Sequence, residues 1–455
     1  MSSTVIESPA AAPSGVFGRP YRALSTGMVA LVFLMAFEYL AVATAMPAVA
    51  RELDGLALFG LAFSGSMAAG VIATVAGGRW SDVRGPVAPA WAGVGAFVAG
   101  LLVAGFAPTM HILVAGRFVQ GVGAGLFSVA LYVLVAQVYP PAMHPKVFSL
   151  LAAAWVLPSL VGPAVSGIVV EHAGWRWVFL GVALVSLPAA LVLWRGLAGR
   201  PTAPRDEPAA PPAGRFAVRL AWGGMVAAGA TLLQYGGGLG TSGLPLLLAG
   251  LAVLAVALPR LLPAGTMRSV RGFPSVVLLR GLTAGAFFAG DAFVPLMLTT
   301  SRDLSATQAG LFLTGGALSW SLASWVQGRR PGNRRLLLRG GTALIAVGVA
   351  GAATPALSAV PLAVGFVAWL IAGFGMGLVY PTLSVLTLEL SAAGEEGRNS
   401  SSLQIGESVF AVVVLAVTGA VFAAAGTAGW VFLACFAVIL VPALLGALAA
   451  GRARG

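Results

Sequence analysis

The sequence predicts an all-α polytopic membrane protein: two pseudo-repeated six-helix bundles plus two inserted central helices, fourteen transmembrane helices, both termini cytoplasmic. Three observations predict it: too little charge to cover a water-facing surface, a train of membrane-length apolar runs, and arginines gathered on one side of those runs.

Of the 455 residues, 59% are hydrophobic and 9% charged, against about a quarter charged in a soluble domain. Lipid must therefore be the solvent. The 61 glycines suit close helix–helix approach in a bilayer. A net charge of +12 could point to nucleic acid, but the arginines sit in short clusters between apolar runs rather than on a face, as orientation signals do. The one cysteine, Cys435, lies in an apolar run as a small packing residue.

About 20 apolar residues cross the hydrocarbon core. Such runs fall at 25–49, 59–78, 88–107, 110–137, 147–170, 176–195, 219–236, 243–262, 274–299, 307–327, 340–357, 361–388, 403–424 and 428–449. Met1–Pro20 is polar and rich in proline and alanine, unlike a cleavable signal, so the first run reads as a retained helix. Gly236–Gly240 and Pro259 interrupt runs seven and eight, which are either two crossings or one re-entrant hairpin.

With the N-terminus in the cytoplasm, only Arg51, Arg176 and Arg302 of the 26 basic residues fall on the opposite side and only Arg117 and Arg280 within spans, leaving 21 on the cytoplasmic face. That asymmetry is the positive-inside rule. The expected organisation is a cytoplasmic tail (1–22), a first six-helix bundle (23–197), a Pro-rich cytoplasmic linker (198–217), two extra helices (218–262) and a second six-helix bundle (273–450). A duplication underlies it. Gly121-Val-Gly123-Ala-Gly125-Leu126 recurs as Gly373-Phe-Gly375-Met-Gly377-Leu378, and the turn Gly77-Gly78-Arg79-Trp80 has a counterpart in Gln327-Gly328-Arg329-Arg330. Duplicated halves around a central site are a recurring plan of secondary transporters.

After the second span comes Gly78-Arg79-Trp80-Ser81-Asp82-Val83-Arg84-Gly85, the fourth carries Arg117-Phe-Val-Gln120-Gly121, the fifth Pro158-Ser-Leu-Val-Gly162-Pro163-Ala-Val-Ser166-Gly167, and Gly174-Trp175-Arg176-Trp177 opens the sixth. Together these resemble the major facilitator superfamily over nearly the whole chain, and the fourteen spans resemble its drug:proton antiporter branch. The resemblance implies a gating loop at Gly78, Asp82, Arg84 and Gly85 that latches the outward-facing state. It also implies a buried arginine, Arg117, associated with proton coupling, and a helix-kink motif at Gly162, Pro163 and Gly167. Pro86 and Val87 stand where that loop is usually basic.

Ionisable groups deep in lipid are usually paired, cavity-facing or functional. Glu38, Asp291 and Glu407 qualify among the acids, Arg117 and Arg280 among the bases. At about 1.5 Å per residue, Glu38 lies roughly 20 Å from the cytoplasmic end of its span and Arg117 roughly 10 Å from the outer end of its own, one height in a ~30 Å core. Arg280 and Glu407 both come out about 8–9 Å from the cytoplasmic side. The expected pairs are Glu38–Arg117 and Arg280–Glu407, with Asp291 left without an arginine. Glu38 is the preferred proton carrier, followed by Asp291 and then Glu407.

Tyr39, Gln120, Trp155, Phe287 and Gln404 are candidate substrate-cavity residues. Trp80, Trp175, Trp177, Trp320 and Trp325 read as an interfacial belt. Gly121, Gly123 and Gly125 lie within an apolar helix with no strand before them, so they read as packing residues and not a nucleotide loop. His111, His144 and His172 form no ligand cluster, and no metal site is expected. No catalytic constellation suggests an intramembrane enzyme and no Walker loop an ATP-driven pump.

The expected function is proton-coupled efflux of small lipophilic or cationic compounds across the cytoplasmic membrane. The proton gradient takes the place of a cofactor. The partners are a small-molecule substrate and the bilayer, with no nucleic acid, and the chain works as a monomer. The alternatives are proton-coupled uptake of a metabolite and, more remotely, a non-transporting receptor.

Overall fold

The structure, a computed structural model, describes residues 15–54, 59–198, 213–304, 306–329, 332–425 and 429–453. Residues 1–14 of the tail, 199–212 of the expected linker and Arg330 of the second basic turn lie outside the described residues.

Seven helices make the first half: α1 (Arg22–Glu52), α2 (Phe59–Arg84), α3 (Val87–Gly105), α4 (Met110–Val138), α5 (His144–Ala153), α6 (Val156–Ala173) and α7 (Arg176–Leu197). The inserted pair is α8 (Ala213–Gly238) and α9 (Leu244–Leu261). The second half holds α10 (Phe273–Ser301), α11 (Ala306–Arg329), α12 (Arg334–Ala352), α13 (Leu362–Glu389), α14 (Glu396–Ala425) and α15 (Gly429–Ala449). Among the described residues, eleven helices are long and apolar enough to cross a membrane. Local chemistry sets their ends: Thr109 accepts the Ile112 N–H to cap α4, and Gly85, at φ +77°, turns α2 into α3.

One expectation from the sequence is corrected. The run 147–170 is not one helix. It breaks at Ala154–Trp155, one turn before Pro158, whose ring clashes with the Ala154 carbonyl and which has no N–H to offer it. The expected kink motif is uninterrupted instead: α6 runs through Gly162, Pro163 and Gly167. The inserted residues are two separate helices, as expected, and the first begins at Ala213, earlier than the expected 218. Gly243 meets the Gly236 carbonyl so closely that a Cβ there has no room, and Pro259 sits inside α9 without ending it.

The two halves repeat one set of packing partners. α4 lies between α2 and α3 as α13 lies between α11 and α12; α1 packs on α6 and α7 as α10 packs on α14 and α15. The repeated glycines explain the close crossings. A Cβ on Gly121 would strike the Ser66 carbonyl of α2 and one on Gly123 the Phe97 amide of α3, while Gly373 meets Gly316 of α11 and Gly375 meets Gly341 of α12. Backbones touch there because no side chain intervenes. The halves meet along α2 against α14 and α5 against α11, and α8 lies on α2 and α14 together.

Candidate functional site

Among the described residues two ion pairs lie inside the bundle, one per half. In the first half Arg117 of α4 donates through Nη1 to Glu38 Oε1 of α1 and, at 2.8 Å, to Gln120 Oε1; its Nε donates to the Ala62 carbonyl at 3.3 Å. The Glu38 and Arg117 side chains are 5% and 4% exposed. In the second half Arg280 Nε of α10 donates to Glu407 Oε2 of α14 at 2.7 Å, and Nη1 donates to the Tyr380 carbonyl at 3.2 Å. Its guanidinium lies 3.5 Å from the centre of the Tyr380 ring, a cation–π contact that adds to the pair. These are the two pairings that helix depth predicts.

Asp291 of α10 differs. It is half-buried, and no hydrogen bond or ion pair reaches it among the described residues. Its charge acts on Tyr39 of α1, as do those of Arg117 and Glu38. Tyr39 and Trp155, each about half exposed, meet edge-on at 6.3 Å, the indole standing at the break between α5 and α6.

Three expected cavity residues fall elsewhere or only partly fit. Gln120 is buried because its carbonyl oxygen is taken by Arg117. Phe287 is buried because it stacks on Trp369, 4.8 Å between centroids. Gln404 is half-buried, its amide nitrogen without a partner. Trp320 is not a belt residue: it lies within α11 against Phe287, Phe288 and Tyr380. Trp175 also leaves the belt, 2% exposed and donating to Glu52 Oε2 at 3.0 Å. Trp369 and Tyr380 were not singled out by the sequence; an aromatic in a Gly-rich helix next to a buried arginine is the signal that could have found them.

A second arrangement lies where α2 ends and α14 begins. Asp82, in the last turn of α2 beyond its apolar part, accepts the Gly397 N–H at 2.6 Å and the Arg398 N–H at 2.8 Å. A carboxylate from one half thereby caps a helix of the other, at its positive end. Burial pushes the Asp82 carboxyl up to about 7; the two N–H bonds pull against that, while the Glu396 charge adds to it. Gly78 and Gly397 meet backbone to backbone beside it. Arg84, expected in this loop, is exposed and makes no hydrogen bond or ion pair among the described residues. At the far end Arg176 Nη1 donates to Glu52 at 2.5 Å, which holds the Glu52 carboxyl below its usual range.

A duplicated helical bundle with ion pairs in each half and a capping contact between them is the architecture of a membrane carrier. The chain belongs to the Major Facilitator Superfamily, whose sequence profile matches residues 28–414. It is thus a secondary transporter and not an enzyme. It is similar to the multidrug transporter protein MdtP of Bacillus subtilis, 26% identical over 414 residues, 88% of this chain and 74% of that one. A probable multidrug-efflux transporter of Mycobacterium tuberculosis is 25% identical over 68% of each chain. An uncharacterized MFS-type transporter of the same organism is 27% identical over 71% of this chain and 48% of its own length. Among solved structures, the human organic anion transporter MFSD10 superposes with a TM-score of 0.68 at 14% identity, over 93% of this chain and 99% of that one. The proton:xylose symporter XylE does so at 0.66 and 14%, over 94% of each. At such identities these two speak for the fold alone.

Proposed function

We propose that the chain exports small lipophilic or cationic compounds across the cytoplasmic membrane in exchange for protons, by alternating access. In this reading residues 23–197 and 273–450 are the two rocking bundles, 198–212 a cytoplasmic linker and 213–262 an inserted pair. α5 and α6 together make one crossing, which gives fourteen with both termini in the cytoplasm. The molecule works as a monomer, and the Asp82 contact with α14 is its cytoplasmic gate.

Asp291 carries the proposal. A carboxylate inside a span with no basic partner among the described residues has two ways to be neutral, a proton or a cationic substrate. Those two compete, and competition for one site is antiport. Glu38, with Arg117 already against it, has less need of either; its charge, like that of Asp291, acts on Tyr39. Tyr39 and Trp155 offer a cation the faces of two aromatic rings. The direction, export, rests on the efflux relatives.

Efflux of a preloaded fluorescent lipophilic cation, with and without a protonophore, tests this. Wild type should show protonophore-sensitive efflux, and Asp291→Asn should lose it while remaining folded. If Asp291→Asn keeps coupled efflux and Glu38→Gln abolishes it, the exchange belongs to Glu38. Accumulation in place of efflux would replace export with uptake.

A further inference from the structure

The inserted helix α8 does not sit outside one half; it lies over the seam between them. Val226 and Ala230 of α8 share an apolar cluster with Val71 and Val75 of α2 and with Ile405 and Val409 of α14. At the gate end its first turns are tied to α2, where the Arg79 guanidinium lies 4.7 Å from the centre of the Phe216 ring. One turn further on is Arg219. It is half-buried, and among the described residues it makes no hydrogen bond, ion pair or ring contact. The charges that act on it are those of Arg398, on α14, and Asp82, on α2, Arg398 the more strongly.

An arginine in that position favours opening. In the closed gate it loses water without gaining a partner, and it faces a like charge across the seam. Arg398 is itself held by Glu395 at 2.7 Å, which weakens the repulsion but does not remove it. Glu396, the other acid at the gate, is engaged with the Gly394 N–H at 2.8 Å, and its charge acts on Asp82. When α2 and α14 part, Phe216 keeps the start of α8 with α2, so Arg219 leaves Arg398 and regains water while Asp82 stays beside it.

We propose that the α8–α9 insertion is a counterweight on the cytoplasmic gate, with Arg219 as a positioning residue that opposes the Asp82–α14 cap and keeps the gate releasable. This rests on the gate reading given above. It also accounts for α8 lying on both halves.

Distances between spin labels at Val83→Cys and Ala393→Cys, with Cys435→Ala, read the gate directly in the full chain in nanodiscs, independently of any substrate. Arg219→Gln should raise the closed-to-open ratio by roughly two- to fivefold, the scale of a half-exposed charge interaction. Arg219→Lys should keep the wild-type ratio. In an Asp82→Asn background Arg219→Gln should shift the ratio by the same factor as in wild type, because Asp82 stays beside Arg219 in both states and only Arg398 is left behind. An unchanged ratio for Arg219→Gln, or a shift towards open, overturns the proposal. Asp82→Ala, which removes both hydrogen bonds to α14, is the control: if it too leaves the distances unmoved, the gate reading has failed and this inference with it.

Discussion

In the first half an acid on α1 meets an arginine on α4; moved along by 252 residues, the spacing of Gly121 and Gly373, the same positions are Gly290 and Trp369, and these also touch. A Cβ on Gly290 would lie 3.0 Å from the Trp369 ring. The reverse comparison runs the same way. Arg280 and Glu407, the pair of the second half, correspond to Met28 and Trp155 in the first. Among the described residues each half thus keeps one ion pair inside the bundle, at positions where the other half has uncharged residues. The duplication preserved which helices touch and changed which contacts are charged. Asp291 stands one residue past the counterpart of Glu38, in a half where tryptophan replaces the arginine, and among the described residues no ion pair reaches it.

The two seams between the halves differ in the same spirit. At the α2–α14 seam Asp82 caps α14 and Gly397 touches Gly78 through backbone atoms. At the α5–α11 seam the matching turn brings Gly328 to Ser149, and Gln327 turns inward to the Thr382 hydroxyl of its own half. One seam carries a charged latch and the other a neutral contact, so substitutions at equivalent positions should have unequal effects.

The largest effect should come from breaking the ion pair of the first half. Arg117→Leu leaves Glu38 buried without a counter-ion and should cost about 3–5 kcal/mol, read as a fall in thermal stability in detergent. Asp291→Asn removes no partner and should leave that stability near wild type; equal losses in the two variants would break the contrast between the halves. Next comes Gly397→Ala, whose methyl would strike the Gly78 backbone and should favour the open gate by about 1–3 kcal/mol. Gly328→Ala meets the Ser149 side chain, its hydroxyl at 2.9 Å and its Cβ at 3.1 Å, a looser fit than a backbone carbonyl and one whose hydroxyl can rotate away. Its effect should be several times smaller in the same spin-label distances.

Acidity should act on one seam alone. Burial lifts the Asp82 carboxyl from its ordinary 3.8 to about 7 when the gate is closed, so the closed gate binds a proton more tightly than an open, solvated one. Closure is therefore favoured at low pH, declines as pH rises from about 4 to about 7, and levels off above. After solvent screening the change should not exceed about tenfold, and Asp82→Asn should abolish it. The smallest effect should be Glu52→Gln. This pair is 40% and 51% exposed, and its loss should cost under about 1 kcal/mol, whatever stability it gives above the carboxylate range fading as acid protonates Glu52.

What the sequence made legible follows from helix geometry. A rise of about 1.5 Å per residue gave Glu38 and Arg117 one depth and Arg280 and Glu407 another, and depth was enough to pair them. The repeated glycines gave the offset because close backbone contact tolerates little else. The break before Pro158 was also on the page, but an apolar run hides it when only hydropathy is followed. Trp320 looked interfacial because its neighbours on the other helices depend on how α10, α11 and α13 are rotated against one another. For the same reason nothing local linked Asp82 to the amides of Gly397 and Arg398, more than three hundred residues away.

The balance of charge in the core has a consequence for voltage. With Glu38 matched by Arg117 and Glu407 by Arg280, a cycle that exchanges one proton for one monovalent cation at Asp291 carries no net charge across the bilayer. Membrane potential then neither drives nor opposes it, and the pH difference is its whole driving force. A dication swapped for the same proton would meet a load of about 2.3 kcal/mol per 100 mV. In the exchange proposed for Asp291, the charge of the substrate thus sets how its transport answers to the electrical state of the cell.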